Sequence, residues 1–556
     1  MARPLQSTMQ EVPLTIADIF RRGQSLFRGS QVVTFDGDTS RRADFAEVTE
    51  RVTRLAAGLR YLGIKPGDRV GTFCWNHQEH LEAYFAVPLL GAVLHTLNVR
   101  LSPAQLAYVI NSGGDRVVIV DAGLTPLLAA IRSQLTTVET VVVVGRADTS
   151  GLGVIFDYNE LIKGSAPLRD WPVLDERQPA AMCHTTGTTG DPRGVVYSHR
   201  SIWLHSLATV ANFALNENDR VGLMVPMFHV NGWGKPYAAF MCGADLLLPE
   251  RFLQPQPLLS FVVAERPNVV VGVPTIFQGL LMAAHAAEAE LDFVRLGICG
   301  GAAVPTTLMQ AFQPWFPLIQ AWGMTETSPL GMVSFPPRGV VEGDSSYWHY
   351  RSKTGRPVAG VALRITGDNG TPLPWDGKTV GEVEVRGPWI ASSYLGGAGR
   401  ERFRDGWLRT GDVGTVDELG YVQITDRTKD IIKSGGEWIS SMELENELLA
   451  HPAVLDAAVV GIPDERWGER PLAVFALRPG HSADPEDLRQ FLTGKVPSFW
   501  LPESWAVVAA IPKTSVGKQD KKAIRQLQAE GRLEVRRLVR VEAVWADRLR
   551  VPKGRR

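Results

Sequence analysis

The chain has little cysteine, no long apolar run and almost no net charge. Its four cysteines, Cys74, Cys183, Cys242 and Cys299, lie far apart among 556 residues. No two have metal-ligand spacing, so they read as reduced core thiols of a cytoplasmic protein, not as staples or ligands. The longest apolar run, Tyr84 to Leu94, contains Pro88 and Gly91. It falls far short of the ~20 residues needed to cross a bilayer. The start, MARPLQSTMQEVPLT, has no apolar core behind its charges, so no secretory signal is expected there. The 58 basic and 59 acidic side chains nearly cancel. That balance argues against a nucleic-acid partner and leaves at most peripheral membrane contact. No repeat, no low-complexity tract and no GxxxxGK[ST] loop stands out.

What is present is ordinary globular composition, 45% hydrophobic and 21% charged, in a chain long enough for two or more domains. Phe45, Val48, Val52, Leu55, Leu59 and Leu62 recur at steps of three and four, one face of a helix. Asp44 and Glu47 form a capping pair at its start. DRVGTFCW then reads as a strand. Helix-like PAQLAYVINSG and TPLLAAIRSQL alternate with strand-like DRVVIVDA and VETVVVVG. The alternation resumes with a helix from His199 to Phe213 and strands in DRVGLMVP, NVVVGVP and VRLGICGG. This predicts an α/β fold with parallel sheets covered on both faces. Between about 353 and 425, GEVEVRG and GYVQIT alternate strictly, as half-exposed antiparallel strands do. After 430 a short α+β unit follows, so a boundary is expected near 427 to 431. The arginine-rich residues from about 531 read as a solvated tail.

Residues 184 to 194, HTTGTTGDPRG, make a poor helix and a poor strand. Successive N–H groups in a glycine-rich turn form an anion nest, and threonine hydroxyls add donors. The natural occupant is a nucleotide's phosphate chain. The bland alternative is an exposed polar turn.

TGTTGDPRGV resembles the phosphate loop of the acyl-adenylate-forming superfamily, which includes acyl-CoA synthetases, peptide-synthetase adenylation domains and luciferases. Four further segments resemble that superfamily in its order: QAWGMTETSP (320 to 329), GWLRTGDVG (406 to 414), DRTKDIIKSGGEWIS (426 to 440) and PKTSVGKQDKK (512 to 522). His184, Thr186 and Arg193 depart from the usual aromatic residue, serine and lysine. The resemblance spans residues 15 to 525. It implies a large domain, 1–428, of two covered sheets plus a distorted β-barrel. It also implies a small mobile α+β domain, 429–530, followed by a basic tail, 531–556.

The resemblance further implies a set of roles. Thr185, Thr186, Gly187, Thr188, Thr189, Gly190 and Arg193 would hold phosphates of ATP. Gly301, Ala302, Gln320, Trp322 and Gly323 would line the adenine site. Asp412 and Arg427 would grip the ribose. Thr325 would contact the α-phosphate, and Glu326 would hold Mg2+. Lys518 would bridge carboxylate and α-phosphate in the first half-reaction. Lys429 would be the hinge, Gly436 would leave the CoA channel open, and Lys433 would serve the thioester-forming pose. Read one at a time, most of these are ordinary residues: a surface glutamate, a turn aspartate, a core tryptophan, a solvated lysine.

VPMFHVNGWGKPYAAF (225 to 240) resembles the gating segment of medium- and long-chain fatty acyl-CoA synthetases. There His229 would sit beside the carboxylate and the thiol path, and Trp233 would gate an apolar tunnel. The expected activity is ATP-dependent ligation of a fatty acid to CoA. Competing readings are a CoA ligase for methylthiopropionate or an aryl acid, a carrier-protein loader, a luciferase-like oxygenase, and a nucleotide-binding regulator without activity. The implied partners are small molecules. Several relatives form homodimers through the large domain, and no residue pattern here decides that point.

Overall fold

The computed structural model of the chain describes residues 7–185, 191–427, 429–434, 437–514 and 519–538. They form two compact units, 1–364 with 384–409, and 365–383 with 410–556. Among the described residues no helix is long and apolar enough to cross a membrane.

The first unit contains a seven-stranded and a nine-stranded sheet. In the seven-stranded sheet Arg69–Phe73, Val93–Thr96, Asp115–Asp121, Thr140–Val144, Ile155–Asp157 and Pro179–His184 run parallel. Helices connect several of these strands, as the alternating pattern predicts. Parallelism is not complete. Gly194–Ser198 returns antiparallel to Pro179–His184, and Ser40–Asp44 pairs antiparallel with Gln31–Phe35. An antiparallel return needs no crossover helix, so helix–strand alternation does not report it.

Helix Phe45–Tyr61 begins where the cap predicts, with the Asp44 carboxylate accepting from the Glu47 N–H. Helix Gln78–Leu89 is buried along its whole length. Its aromatic side carries Phe85, which meets Phe240 with ring centroids 4.4 Å apart, and Phe240 in turn stacks on Phe45 at 4.0 Å. Its polar side is satisfied internally. Glu82 takes the Arg51 guanidinium at 2.5 Å and the Tyr158 hydroxyl at 2.6 Å, as a buried carboxylate must.

A five-stranded sheet is built from Ala362–Thr366, Gly381–Arg386, Phe403–Arg404, Trp407–Val416 and Val422–Arg427. Val422–Arg427 pairs antiparallel with Trp407–Val416. Strict alternation predicts half-exposed glutamates in GEVEVRG. Glu384 is instead fully buried between Arg364, at 2.6 Å, and Arg404. Two guanidinium groups make burial of that carboxylate tolerable.

In the second unit a six-stranded sheet is centred on Gly468–Leu477, with Val454–Asp464 and Ser504–Val507 beside it. Alternate residues face opposite ways. Ala457, Val459, Ala473, Phe475 and Trp505 join one apolar cluster with Leu444, Leu448, Leu488 and Leu492 of two helices. Ala458, Val460, Leu472, Val474 and Ala506 join another with Ile524 of helix Lys521–Ala529. The arginine-rich segment departs from a fully solvated tail at its start. Arg536–Arg537 pairs with Ser504–Trp505, and Leu538 is buried.

Candidate active site

Strand Pro179–His184 ends at the glycine–threonine stretch, and Gly194–Ser198 leaves it, with His184 opposite Gly194. The Thr185 N–H donates to the Arg193 carbonyl at 2.8 Å, and the Arg193 N–H donates to Thr185 Oγ1 at 3.1 Å. The two ends of the loop are therefore tied together. Thr186, Gly187, Thr188, Thr189 and Gly190 lie outside the described residues, as do Gly436 and Lys518.

Arg193 leads to an acidic centre. Its guanidinium stands 5.3 Å over the Tyr394 ring and 3.3 Å from Glu401. The Tyr394 hydroxyl donates to Glu326 Oε1. Burial, and next the Glu326 charge, push that hydroxyl well above the ordinary tyrosine range. It therefore remains a donor at neutral pH. Glu326 sits on a single 3-10 turn, Thr325–Thr327, and is 5% exposed. The Tyr197 hydroxyl donates to the Thr325 carbonyl at 2.8 Å, and the Ala391 N–H donates to the Glu326 carbonyl at 2.8 Å. Tyr394 and Tyr197 carry no motif that singles them out in the sequence. Their importance appears only when distant segments meet.

Strands Leu296–Gly300 and Leu318–Trp322 lie side by side and parallel. Their carboxyl ends present the glycine-rich turn and the Trp322 segment, the end of an α/β sheet where ligands bind. Gln320 is buried with its amide spent on the fold, accepting from the Val304 N–H at 2.7 Å and donating to the Lys353 carbonyl at 3.0 Å. Gly323 cannot carry a side chain, because a β-carbon would sit 1.4 Å from the Pro329 carbonyl oxygen. At Gly331 a β-carbon would come within 2.6 Å of the Trp322 ring. Trp233 packs over Gly300 and Gly301, and Ala302 beside them is exposed.

The segment after His229 has an unusual backbone. Val230, Asn231, Gly232, Trp233 and Gly234 take φ of 45°, 50°, 57°, 53° and 68°. Left-handed geometry costs a non-glycine residue about 1–2 kcal/mol. Val230, Asn231 and Trp233 therefore hold strain that buried contacts must offset, among them the Cys183 thiol on Asn231 Oδ1 at 3.3 Å. The two glycines are visible in the sequence; a left-handed valine and tryptophan are not.

In the second unit Asp412 and Arg427 are register partners on adjacent strands, with Nε 3.2 Å from Oδ1. Asp412 is 4% exposed. Just beyond, Asp426 accepts from the Ser441 N–H at 2.7 Å and hydroxyl at 2.6 Å. Lys521 donates to the same Ser441 hydroxyl at 2.6 Å and reaches Glu445 at 2.8 Å. It is a paired, nearly buried lysine, unlike a member of a solvated basic run. Lys429 and Lys433 are exposed, and the Lys433 N–H donates to Glu469 at 3.0 Å.

The model of the AMP-binding enzyme family matches residues 22–395, and that of the AMP-binding enzyme C-terminal domain matches 443–518. A long-chain-fatty-acid–CoA ligase from Thermus thermophilus is 43% identical over 531 residues, covering 94% of this chain and 96% of the relative. A 3-methylmercaptopropionyl-CoA ligase from Ruegeria lacuscaerulensis is 41% identical over 535 residues, covering 93% and 98%. Among solved structures, the anthranilate CoA ligase AuaEII in complex with anthranoyl-AMP superposes with a TM-score of 0.86 at 26% identity, covering 94% of this chain and 99% of that one. With matches of this extent, the chain belongs to the AMP-binding enzyme family and is an acid–thiol ligase acting through an acyl-adenylate.

Proposed function

We propose that the acid is a medium- or long-chain fatty acid. A carboxylate oxygen attacks the α-phosphorus of ATP and the bond to pyrophosphate breaks. The CoA thiol then attacks the acyl carbonyl, its proton leaves to solvent, and AMP departs. The chain's work in the first step is to position reactants and offset negative charge. The observation that carries the adenylation step is the Arg193–Tyr394–Glu326 cluster at the tied base of the glycine–threonine loop, and what supports a fatty acid is the 43% identity to a long-chain-fatty-acid–CoA ligase.

Within this reading the loop from Thr185 to Arg193 holds the phosphates, Thr325 meets the α-phosphate, and Asp412 with Arg427 holds the ribose. Gly301, Ala302, Gln320, Trp322 and Gly323 frame the adenine. Glu326 suits Mg2+, being a hard, nearly buried oxygen donor aimed by Tyr394. When bound, the ion would neutralise charge between phosphate oxygens. Lys518 supplies the cation that bridges the carboxylate and α-phosphate. The domain 429–530 turns about Lys429 between half-reactions, bringing Lys433 and the Gly436 passage into use. His229 lines the approach of the thiol, and Trp233 gates the acyl tunnel. The strained turn at Val230–Gly234 supports such a gate, since strain lowers the cost of leaving that state.

A second reading, 3-methylmercaptopropionate as the acid, is favoured by the 41% identical relative. A panel of acids from short to long, with methylthiopropionate and aryl acids, decides between them. AMP release with CoA should rise with chain length into the medium range. A maximum at methylthiopropionate would establish the second reading instead.

A further inference from the structure

Two helices of the first unit enclose a seam of buried donors. In helix His199–Phe213 the side chains of His205, Thr209 and Phe213 recur at steps of four, on one face. Lys235, the first residue of helix Lys235–Cys242, lies along that face. Its ammonium stands 4.9 Å over the Phe213 ring. Its backbone enters at the other end of the row, where Gly234 passes the His205 ring. A β-carbon on Gly234 would lie 2.5 Å from His205 Nδ1. The Lys235 side chain therefore spans the row from His205 to Phe213, with Thr209 between them.

Lys235 is 4% exposed, His205 2% and Thr209 0%. Among the described residues Lys235 makes no hydrogen bond and no ion pair, and no carboxylate acts on its amine. Thr209 Oγ1 is buried without a partner. Burial, and next the Lys235 charge, pull His205 down to about 3, so its ring is neutral. His205 Nε2 accepts from the Leu330 N–H at 3.2 Å, which places the ring's one proton on Nδ1. That Nδ1–H has no acceptor among the described residues either. An ammonium, a hydroxyl and an imidazole N–H thus share one seam with no acceptor. Buried donors left in this state cost stability, the charged one most.

We propose that this seam is a carboxylate-binding site, in which Lys235 supplies the charge and Thr209 and His205 supply further donors to the carboxylate oxygens. One ammonium matches one negative charge. A carboxylate has two oxygens and about four lone-pair positions, which suits donors spread along a row better than a single-atom anion does. A group that lowers stability in the free chain is characteristic of a binding site, where the ligand offsets the cost. Two sources share this chemistry. One is a free carboxylate. The other is the far carboxylate of a dicarboxylic acid, since Lys235 stands two residues beyond Trp233. Only the second source rests on the reading of Trp233 as the acyl gate.

Thermal unfolding at pH 6 in a carboxylate-free buffer, with and without about 100 mM sodium formate, reads the site without any activity. The wild type should gain about 2–4 °C. Lys235→Met, which has no charge to bury, and Thr209→Val, which keeps the shape, should each gain less than about half as much in the same salt. A second arm compares CoA-ester formation from dicarboxylic acids of about six to twelve carbons with the monocarboxylic acids of equal length. If the far carboxylate is the ligand, Lys235→Met should lower kcat/KM for the best dicarboxylic acid about tenfold. The monocarboxylic acid of that length should change less than about threefold. Formate stabilisation that needs Lys235, without that discrimination, establishes the site with a free carboxylate as its ligand. Discrimination establishes it with the substrate as its ligand. Equal formate effects in all three proteins, with an unchanged ratio of dicarboxylic to monocarboxylic turnover, would overturn the site. A chain that ligates no acid would overturn the ligase reading instead, and the formate arm would still judge the site.

Discussion

Replacing Lys235 with methionine should stabilise the protein, and more so at pH 6 than at pH 9. Lys235 begins the helix after the Trp233 turn, is 4% exposed, and holds its ammonium 4.9 Å over the Phe213 ring. Burial, with no carboxylate to oppose it, pulls its amine from 10.5 to about 7. The sign follows from proton counts. Between about pH 7 and pH 10.4 the unfolded chain holds a proton that the folded chain has released, so stability climbs as pH rises. Below about 7 both states are protonated and the folded state carries the full penalty, about 5 kcal/mol at 1.36 kcal/mol per pH unit. Linkage then puts the penalty at about 4–5 kcal/mol at pH 6 and about 2 kcal/mol at pH 9. Methionine has similar length and no charge. At pH 6 it forfeits a cation–π contact of about 0.5–2 kcal/mol, which the neutral amine at pH 9 does not make. The advantage of methionine should therefore be larger at pH 6 by roughly 1–2 kcal/mol. Urea unfolding of both proteins at the two pH values, followed by tryptophan fluorescence, measures the difference. Equal effects at the two pH values, or a less stable variant at pH 6, would show that the amine is paired or hydrated and refute the reasoning.

Tyr394→Phe should remove a hydrogen bond to a charged group, about 1.5–3 kcal/mol. Pyrophosphate exchange should fall about 10- to 100-fold at limiting Mg2+ and recover partly as Mg2+ is raised; an unchanged rate would separate Tyr394 from the work of Glu326. Gly331→Ala places a β-carbon 2.6 Å from the Trp322 ring. It should cost about 1–3 kcal/mol by overpacking and raise KM for ATP, checked by thermal unfolding and exchange kinetics together. Asp412→Asn should raise KM for ATP more than it alters KM for the acid, and equal effects on both would argue against a ribose contact.

Much of the fold was legible because it follows local periodicity. The steps of three and four from Phe45, the Asp44–Glu47 cap and the apolar runs through Val118 and Val142 specify helix and strand without reference to anything distant. The antiparallel returns were not legible, since a strand's direction depends on the loop before it. Nor was the burial of Glu384, because its arginines come from Arg364 and Arg404 on other strands. The candidate site divides the same way. Glu326, Asp412 and Arg193 stand inside recognisable segments. Tyr394 and Tyr197 do not, because each acts on a side chain or carbonyl far away in sequence. The left-handed Val230 and Trp233 run against their own backbone preferences, and only tertiary contacts impose that geometry.

The central claim is that ATP activates an organic acid on this chain as a mixed anhydride with AMP. Incubating the purified protein with Mg2+, ATP labelled at the α-phosphate and dodecanoate, without CoA, should yield acyl-AMP and pyrophosphate, with the label in the acyl-AMP. Adding CoA should then convert it to acyl-CoA and AMP. Free AMP or ADP without any labelled anhydride, across the whole acid panel, would contradict the account.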